Sequence, residues 1–322
     1  MCGQLVEGDV QAALHVAAYL GHENIIRTIS AKVVTMGWHM DYNNGLYYAA
    51  QHNHISTVQL LIDCGADTDT RTGSFGSPLV AACSKSHMAV VQLLIANGAN
   101  VNLRTRMSYY RTALSAASFT GNTTLAQLLL DHGADSNCGG TTGGSVIFDA
   151  AETGHLSVIQ LLIDHGADVN AKTPVNKTTV LHAAAEKGQV SAIQLLIDHG
   201  AKVNARGGIF GTPLQAALYN NHTAVVKLLL ENGADVNQKV WGTTPLWNAS
   251  HRGQYGIVEL LIENGAAINT QGAYGTALEA AVIHHRYHIE KLLLRHGAQP
   301  VPRPTTPVPK ECKESFECSL MP

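Results

Sequence analysis

The sequence predicts an all-α solenoid of about nine stacked helix-turn-helix repeats with β-hairpin-like fingers, and three observations predict it. A leucine or isoleucine recurs at Leu14, Leu46, Leu79, Leu114, Ile147, Leu181, Leu214, Leu246 and Leu278, at intervals of 32 to 35 residues. From Ser77 to Thr276, seven consecutive repeats carry Ser or Thr two places before it. A Gly-Ala pair closes eight repeats, at Gly65, Gly98, Gly133, Gly166, Gly200, Gly233, Gly265 and Gly297. Self-similarity at this period marks a repeat array, in which each helix pair buries its apolar stripe only by stacking on its neighbours.

The seventh repeat shows how each element arises. Thr212 suits a helix N-cap, and Pro213 the first helical position, where a missing N–H is harmless. Leu214, Ala216 and Ala217 build a short helix with small residues for close packing. After Asn220-Asn221-His222, the stripe of Val225, Val226, Leu228 and Leu229 has helical spacing and makes a second helix. Gly233 supplies the positive φ that stops it. An Asn follows the close in six repeats, at 102, 137, 170, 204, 237 and 269.

In its period, its Thr-Pro-Leu box, its Gly-His turn and its Gly-Ala-Asp-Val-Asn close, the chain resembles the ankyrin repeat family over about residues 10–298. Phe210-Gly-Thr-Pro-Leu-Gln-Ala-Ala217 looks like the variant common in fungal arrays. The resemblance implies an interaction module with no catalytic residues of its own.

Taken in order, residues 1–37 form a degenerate capping repeat. Ala12 replaces the capping Thr, and the second helix lacks a Gly-Ala close. It is apolar for a terminal cap, which a shortened amino terminus or a covering partner would explain. Residues 38–298 form the regular array. Its fingers vary most at 104–111, which is long, and at 138–144, whose glycines predict mobility. In 299–322 the prolines concentrate, predicting an extended, disordered tail.

Charged residues make up only 14% of the chain and the net charge is −3. Neither value favours nucleic acid or an anionic membrane. No apolar run approaches a membrane span, and the six cysteines lack framework spacing, so reduced thiols in an intracellular protein are expected. Cofactors and metals are not expected. His284 and His288 fall one turn apart if helical, but no Cys or Glu completes a ligand set. Most of the seventeen histidines occupy repeat positions and are expected to bond the backbone between repeats.

The recognition surface is expected on the concave face, at positions one, five and six after the ruler leucine. Repeats four to eight concentrate aromatics and charges there and on the fingers: Phe119, Phe148, Glu152, Glu186, Lys187, Tyr219, Trp241, Trp247, His251 and Arg252. Exposed aromatics bury large area on binding at low entropy cost. The first reading is therefore a scaffold or adaptor for a protein partner. The alternative is a small-molecule binder or a lyase- or cyclase-type enzyme on an apolar substrate, with Glu152, His182, Glu186 and His251 doing acid–base work. No nucleophile elbow, phosphate loop or dinucleotide fingerprint supports it.

Overall fold

A computed structural model describes residues 7–105, 109–141 and 143–300. The proline-rich segment from 301, with Cys312 and Cys318, lies outside the described residues, as does Cys2. The chain divides into two compact units. The N-terminal unit holds residues up to Ala150 together with Ser157–Ala167, and the C-terminal unit holds Ala151–Leu156 and residues from Asp168 onward.

Eighteen α-helices occur among the described residues, two per repeat, with ruler residues of no more than 3% exposure. The first helices begin where the sequence placed their caps. The side chains of Ser77, Thr112, Thr212, Thr244 and Thr276 accept from the backbone N–H three residues on, each such cap stabilising by about 1 kcal/mol. Ser145 departs from the pattern, since its hydroxyl donates to the Ser136 carbonyl instead. The helices of the first repeat, Glu7–Leu20 and Glu23–Met36, are longer than the rest. Gly37 closes the second of them at a φ of 66° without the Ala that follows elsewhere.

Two side-chain devices tie successive repeats together, and both recur with the sequence period. The closing Asn of one repeat donates to the closing-glycine carbonyl of the next: Asn102 to Gly133, Asn170 to Gly200, Asn204 to Gly233, Asn237 to Gly265 and Asn269 to Gly297. The turn histidine reaches back to the preceding first helix, as in His54 to the Tyr19 carbonyl, His87 to Gln51 and His222 to Glu186. Gln189 and Gln254 do the same where His is absent. The glycine facing this side chain is required twice over. Gly188 sits at a φ of 74°, and a Cβ there would fall 2.8 Å from the His222 ring. The histidines before the closing glycine bond instead within their own helix, His132 to Leu128, His165 to Leu161 and His199 to Leu195.

The fingers are leaner than β-hairpins. Single antiparallel bridges, such as Gly139 with Ser145, Lys172 with Thr179 and Val240 with Thr243, close them, and no strand occurs among the described residues. The glycine-rich finger is stitched down by a buried carboxylate. Asp149 accepts from the Thr141 amide at 3.0 Å, from the Thr141 hydroxyl, and from Ser115 Oγ at 2.7 Å.

Candidate functional site

The surface made by fingers and first helices differs from the expected one in a systematic way. The position after the ruler leucine is buried in repeats two to eight: Tyr47, Val80, Ser115, Phe148, His182, Gln215 and Trp247 are all between 0 and 5% exposed. It is the third residue of a short helix in repeats three to eight and the fifth in repeat two, and the finger folds over it. Phe148 and Trp247, expected as accessible anchors, are therefore core residues. A Cβ on Gly144 would lie 2.7 Å from the Phe148 ring, and Trp247 Nε1 donates to the Tyr274 carbonyl at 3.3 Å. The fifth and sixth positions do reach the surface.

In the N-terminal unit Phe119 is half-buried under the long finger. Its ring packs edge-on to Tyr109 at 5.6 Å and Tyr110 at 5.7 Å. Thr105 draws that finger closed by donating to the Tyr110 and Arg111 carbonyls.

In the C-terminal unit the expected residues fall into separate places. Glu152 pairs with Lys187 at 3.1 Å, and the Glu186 backbone carbonyl receives His222. His182 is buried with Nδ1 accepting from the Thr179 amide and close to its hydroxyl at 2.7 Å, so it serves as a helix cap. Burial holds its pKa down to about 4. No hydrogen bond or ion pair joins any two of Glu152, His182, Glu186 and His251. The structure does not assemble them into an acid–base group. His284 and His288 also part company: the first ends helix Ala277–Ile283, the second lies inside helix Tyr287–Arg295, and His285 between them turns at a φ of 55°. They are not ligands on one helical face, and no metal-ligating cluster occurs among the described residues.

Tyr219, Trp241, His251 and Arg252 do converge. They line a pocket of about 50 Å³ between the fingers 205–211 and 238–243 and the helices Pro213–Tyr219 and Pro245–Arg252, with Phe210, Gln215 and Asn248. Phe210 tilts against Tyr219 at 4.6 Å, and the Arg252 guanidinium lies 3.7 Å over the other ring's centroid, on Tyr219, while Nη1 donates to the Tyr219 carbonyl. His251 stacks flat on buried Trp247, 5.0 Å away and 11° from parallel. Burial, then the charges of His284, Arg252 and Arg286, lower its pKa to about 4, so it is neutral at pH 7.

Trp241 is the least expected part. It is 68% exposed, with Nε1 donating to the Ile209 carbonyl at 3.2 Å. Trp241 and Gly242 are the two central residues of the turn bridged by Val240 and Thr243, with φ of 52° and 80°. Two consecutive positive φ angles are what a type I′ turn uses, and Asn-Gly is its preferred pair. A bulky side chain there is strained, and strain of this kind gathers at functional positions.

Buried Gln215 and half-buried Asn248 form a polar pair that sequence reasoning missed. Thr243 Oγ1 donates to the Val240 carbonyl, so it accepts from Asn248 Nδ2. Asn248 Nδ2 also donates to Gln215 Oε1 at 2.7 Å, which fixes that amide with Nε2 left over. Gln215 Nε2 and His251 Nδ1 are both buried without a hydrogen-bond partner. The signal was present two places after the ruler leucine, where repeats three, four, six, seven and nine hold Ala but repeats five and eight hold Asp149 and Asn248.

Comparison with known proteins agrees with this architecture. The family profile described as ankyrin repeats (3 copies) matches residues 2–72, 46–139, 79–173, 147–240 and 237–303. No curated protein matches the chain. Among solved structures, the crystal structure of the human ASB11 ankyrin repeat domain is similar at 29% identity and a TM-score of 0.62, covering 70% of this chain and 100% of that one.

Proposed function

The chain belongs to the ankyrin repeat family, whose domains are generally protein–protein interaction modules, and from that premise we propose that it is a scaffold that holds a protein partner on the concave face of its C-terminal unit. The contact is centred on the pocket between residues 205 and 252. The observation that carries this reading is Trp241, a large aromatic held in solvent by a backbone conformation that disfavours it. Such a side chain gains most by burial against a partner. Arg252, stacked on Tyr219, presents a pre-oriented cation at the pocket wall, while the Glu152–Lys187 pair bridges the first helices of repeats five and six. A cavity of about 50 Å³ is small beside the ~300–1,000 Å³ of ordinary ligand clefts, which favours one inserted side chain over an enclosed substrate.

The test is paired affinity capture with wild type, Trp241→Asn and Tyr109→Ala, all verified to melt as folded proteins. Tyr109 is the control, an aromatic 60% exposed on the N-terminal unit. Partners kept by wild type and Tyr109→Ala but lost by Trp241→Asn are the expected result. Equal capture by all three would refute this placement of the interface.

A further inference from the structure

Charge is sorted within the repeats of the C-terminal unit. Fingers, first helices and the turn after the last of them carry exposed Lys172, Lys177, Arg206, Lys239, Arg252 and Arg286. None of these six is in an ion pair among the described residues. The acids on the same elements are Glu186, Glu279 and Glu152, which is paired with Lys187, and the Glu279 carboxylate is occupied by the Thr276 amide at 2.6 Å. The second helices lean slightly the other way, with Asp198, Glu231, Glu259, Glu263 and Glu290 against Lys227, Lys291 and Arg295. A chain of net charge −3 thus presents a basic strip on one side of these repeats.

The pocket lies within that strip, between the fingers that bear Arg206 and Lys239, with Arg252 in its wall. Gln215, which is 5% exposed, lines it and carries the buried donor Nε2 that the protein itself leaves unpaired. A buried donor without a partner costs free energy that a bound acceptor would return. The site therefore offers one buried N–H for a carbonyl oxygen, an apolar indole flank, and fixed positive charge around both.

We propose, on the basis of the interface reading above, that this site takes an extended acidic peptide segment of a partner protein. One carbonyl oxygen of the segment accepts from Gln215 Nε2 and its carboxylates lie against Arg252 and Arg206. Arginine suits this task because its planar guanidinium binds carboxylate oxygens in pairs, and here stacking on Tyr219 orients it in advance.

The experiment selects short linear peptides from a random display library on the full-length protein and on Arg252→Gln, Gln215→Leu and Trp241→Asn, with circular dichroism and melting as fold controls. Wild type should enrich peptides rich in Asp and Glu, whose affinity falls as salt rises. Arg252→Gln, a surface change, should lose that acidic preference. Gln215→Leu should bind the same peptides roughly tenfold more weakly with the preference kept. Enrichment without excess acid, or an acidic preference that survives Arg252→Gln, overturns the inference. So does the absence of any enriched peptide. Selected peptides that lack acid yet fail on Trp241→Asn overturn the acidic ligand and leave the interface standing. Peptides bound equally by wild type and all three variants remove the interface as well.

Discussion

The two compact units are built from one template, yet they treat buried polar groups differently. In the N-terminal unit the carboxylate of Asp149 is saturated by Thr141 and Ser115, and the aromatic rings of Tyr109, Tyr110 and Phe119 close on one another. Among the described residues only Ser118 Oγ is buried there without a partner. The C-terminal unit leaves five such atoms, on His182, Gln215, Ser250, His251 and Gln254, and it exposes Trp241. Cations and anions on the N-terminal fingers and first helices are also nearly balanced, Arg71, Lys85, Arg104 and Arg111 against Glu7, Asp9, Asp41, Asp69 and the buried Asp149. Satisfied polar groups secure a repeat interface, whereas unsatisfied ones hold binding capacity in reserve at the cost of some stability.

The sharpest break of this contrast separates the two tryptophans that the sequence treats alike. Trp247 is 3% exposed, so Trp247→Ala should destabilise the C-terminal unit by about 3–5 kcal/mol through the cavity it leaves. Urea denaturation followed by circular dichroism reads this as a lower midpoint. A change under 1 kcal/mol would mean that Trp247 is not core.

The polar groups around Asp149 and Asn248 sharpen it further. Asp149→Ala strands the Ser115 hydroxyl and the Thr141 amide and should cost about 2–4 kcal/mol, with faster proteolysis of the finger 138–144. Asn248→Ala removes one bond from a site already incomplete and should cost about 1 kcal/mol. Equal losses in urea denaturation would erase the difference between the units.

Acid should act on the C-terminal unit through His182. Its folded pKa, about 4, lies below the ordinary 6.5, so between those values the unfolded chain binds the proton more readily. Stability is then full above pH 6.5 and is lost as pH falls toward 4, by roughly 3 kcal/mol at most. His182→Gln keeps an acceptor for the Thr179 amide and removes the titration. Urea midpoints at pH 7 and pH 4.5 should differ less in this variant than in wild type.

How far the sequence reached follows from what repeats encode. Leucine spacing, caps and closing glycines answer local backbone and stacking demands shared by every repeat, so agreement among nine copies made the fold legible. The Asn and turn-His positions were legible as recurring columns for the same reason. Exposure at the position after the ruler leucine was not, because the finger that covers it comes from outside the helix period. Asp149, Asn248 and the strained turn at Trp241 were harder still. Each departs from the repeat at one place, and its meaning depends on a partner atom a repeat away, as Ser115 is for Asp149 and Ile209 for Trp241.

The smallest predicted change in stability is the one most informative about function. Trp241 occupies the first central position of a turn whose two central φ angles are positive, where Asn is the favoured residue. Trp241→Asn relieves that strain and removes one hydrogen bond, from Nε1 to the Ile209 carbonyl, at an exposed position where the bond is worth little. The net effect should be a gain of up to about 1 kcal/mol, seen as a slightly higher melting temperature. The same variant should lose the partner. A protein that becomes more stable and less competent on one substitution has its tryptophan placed by binding. If Trp241→Asn instead melts lower and still captures its partner, the indole is a packing element of the finger, and the comparison between the two units loses its functional half.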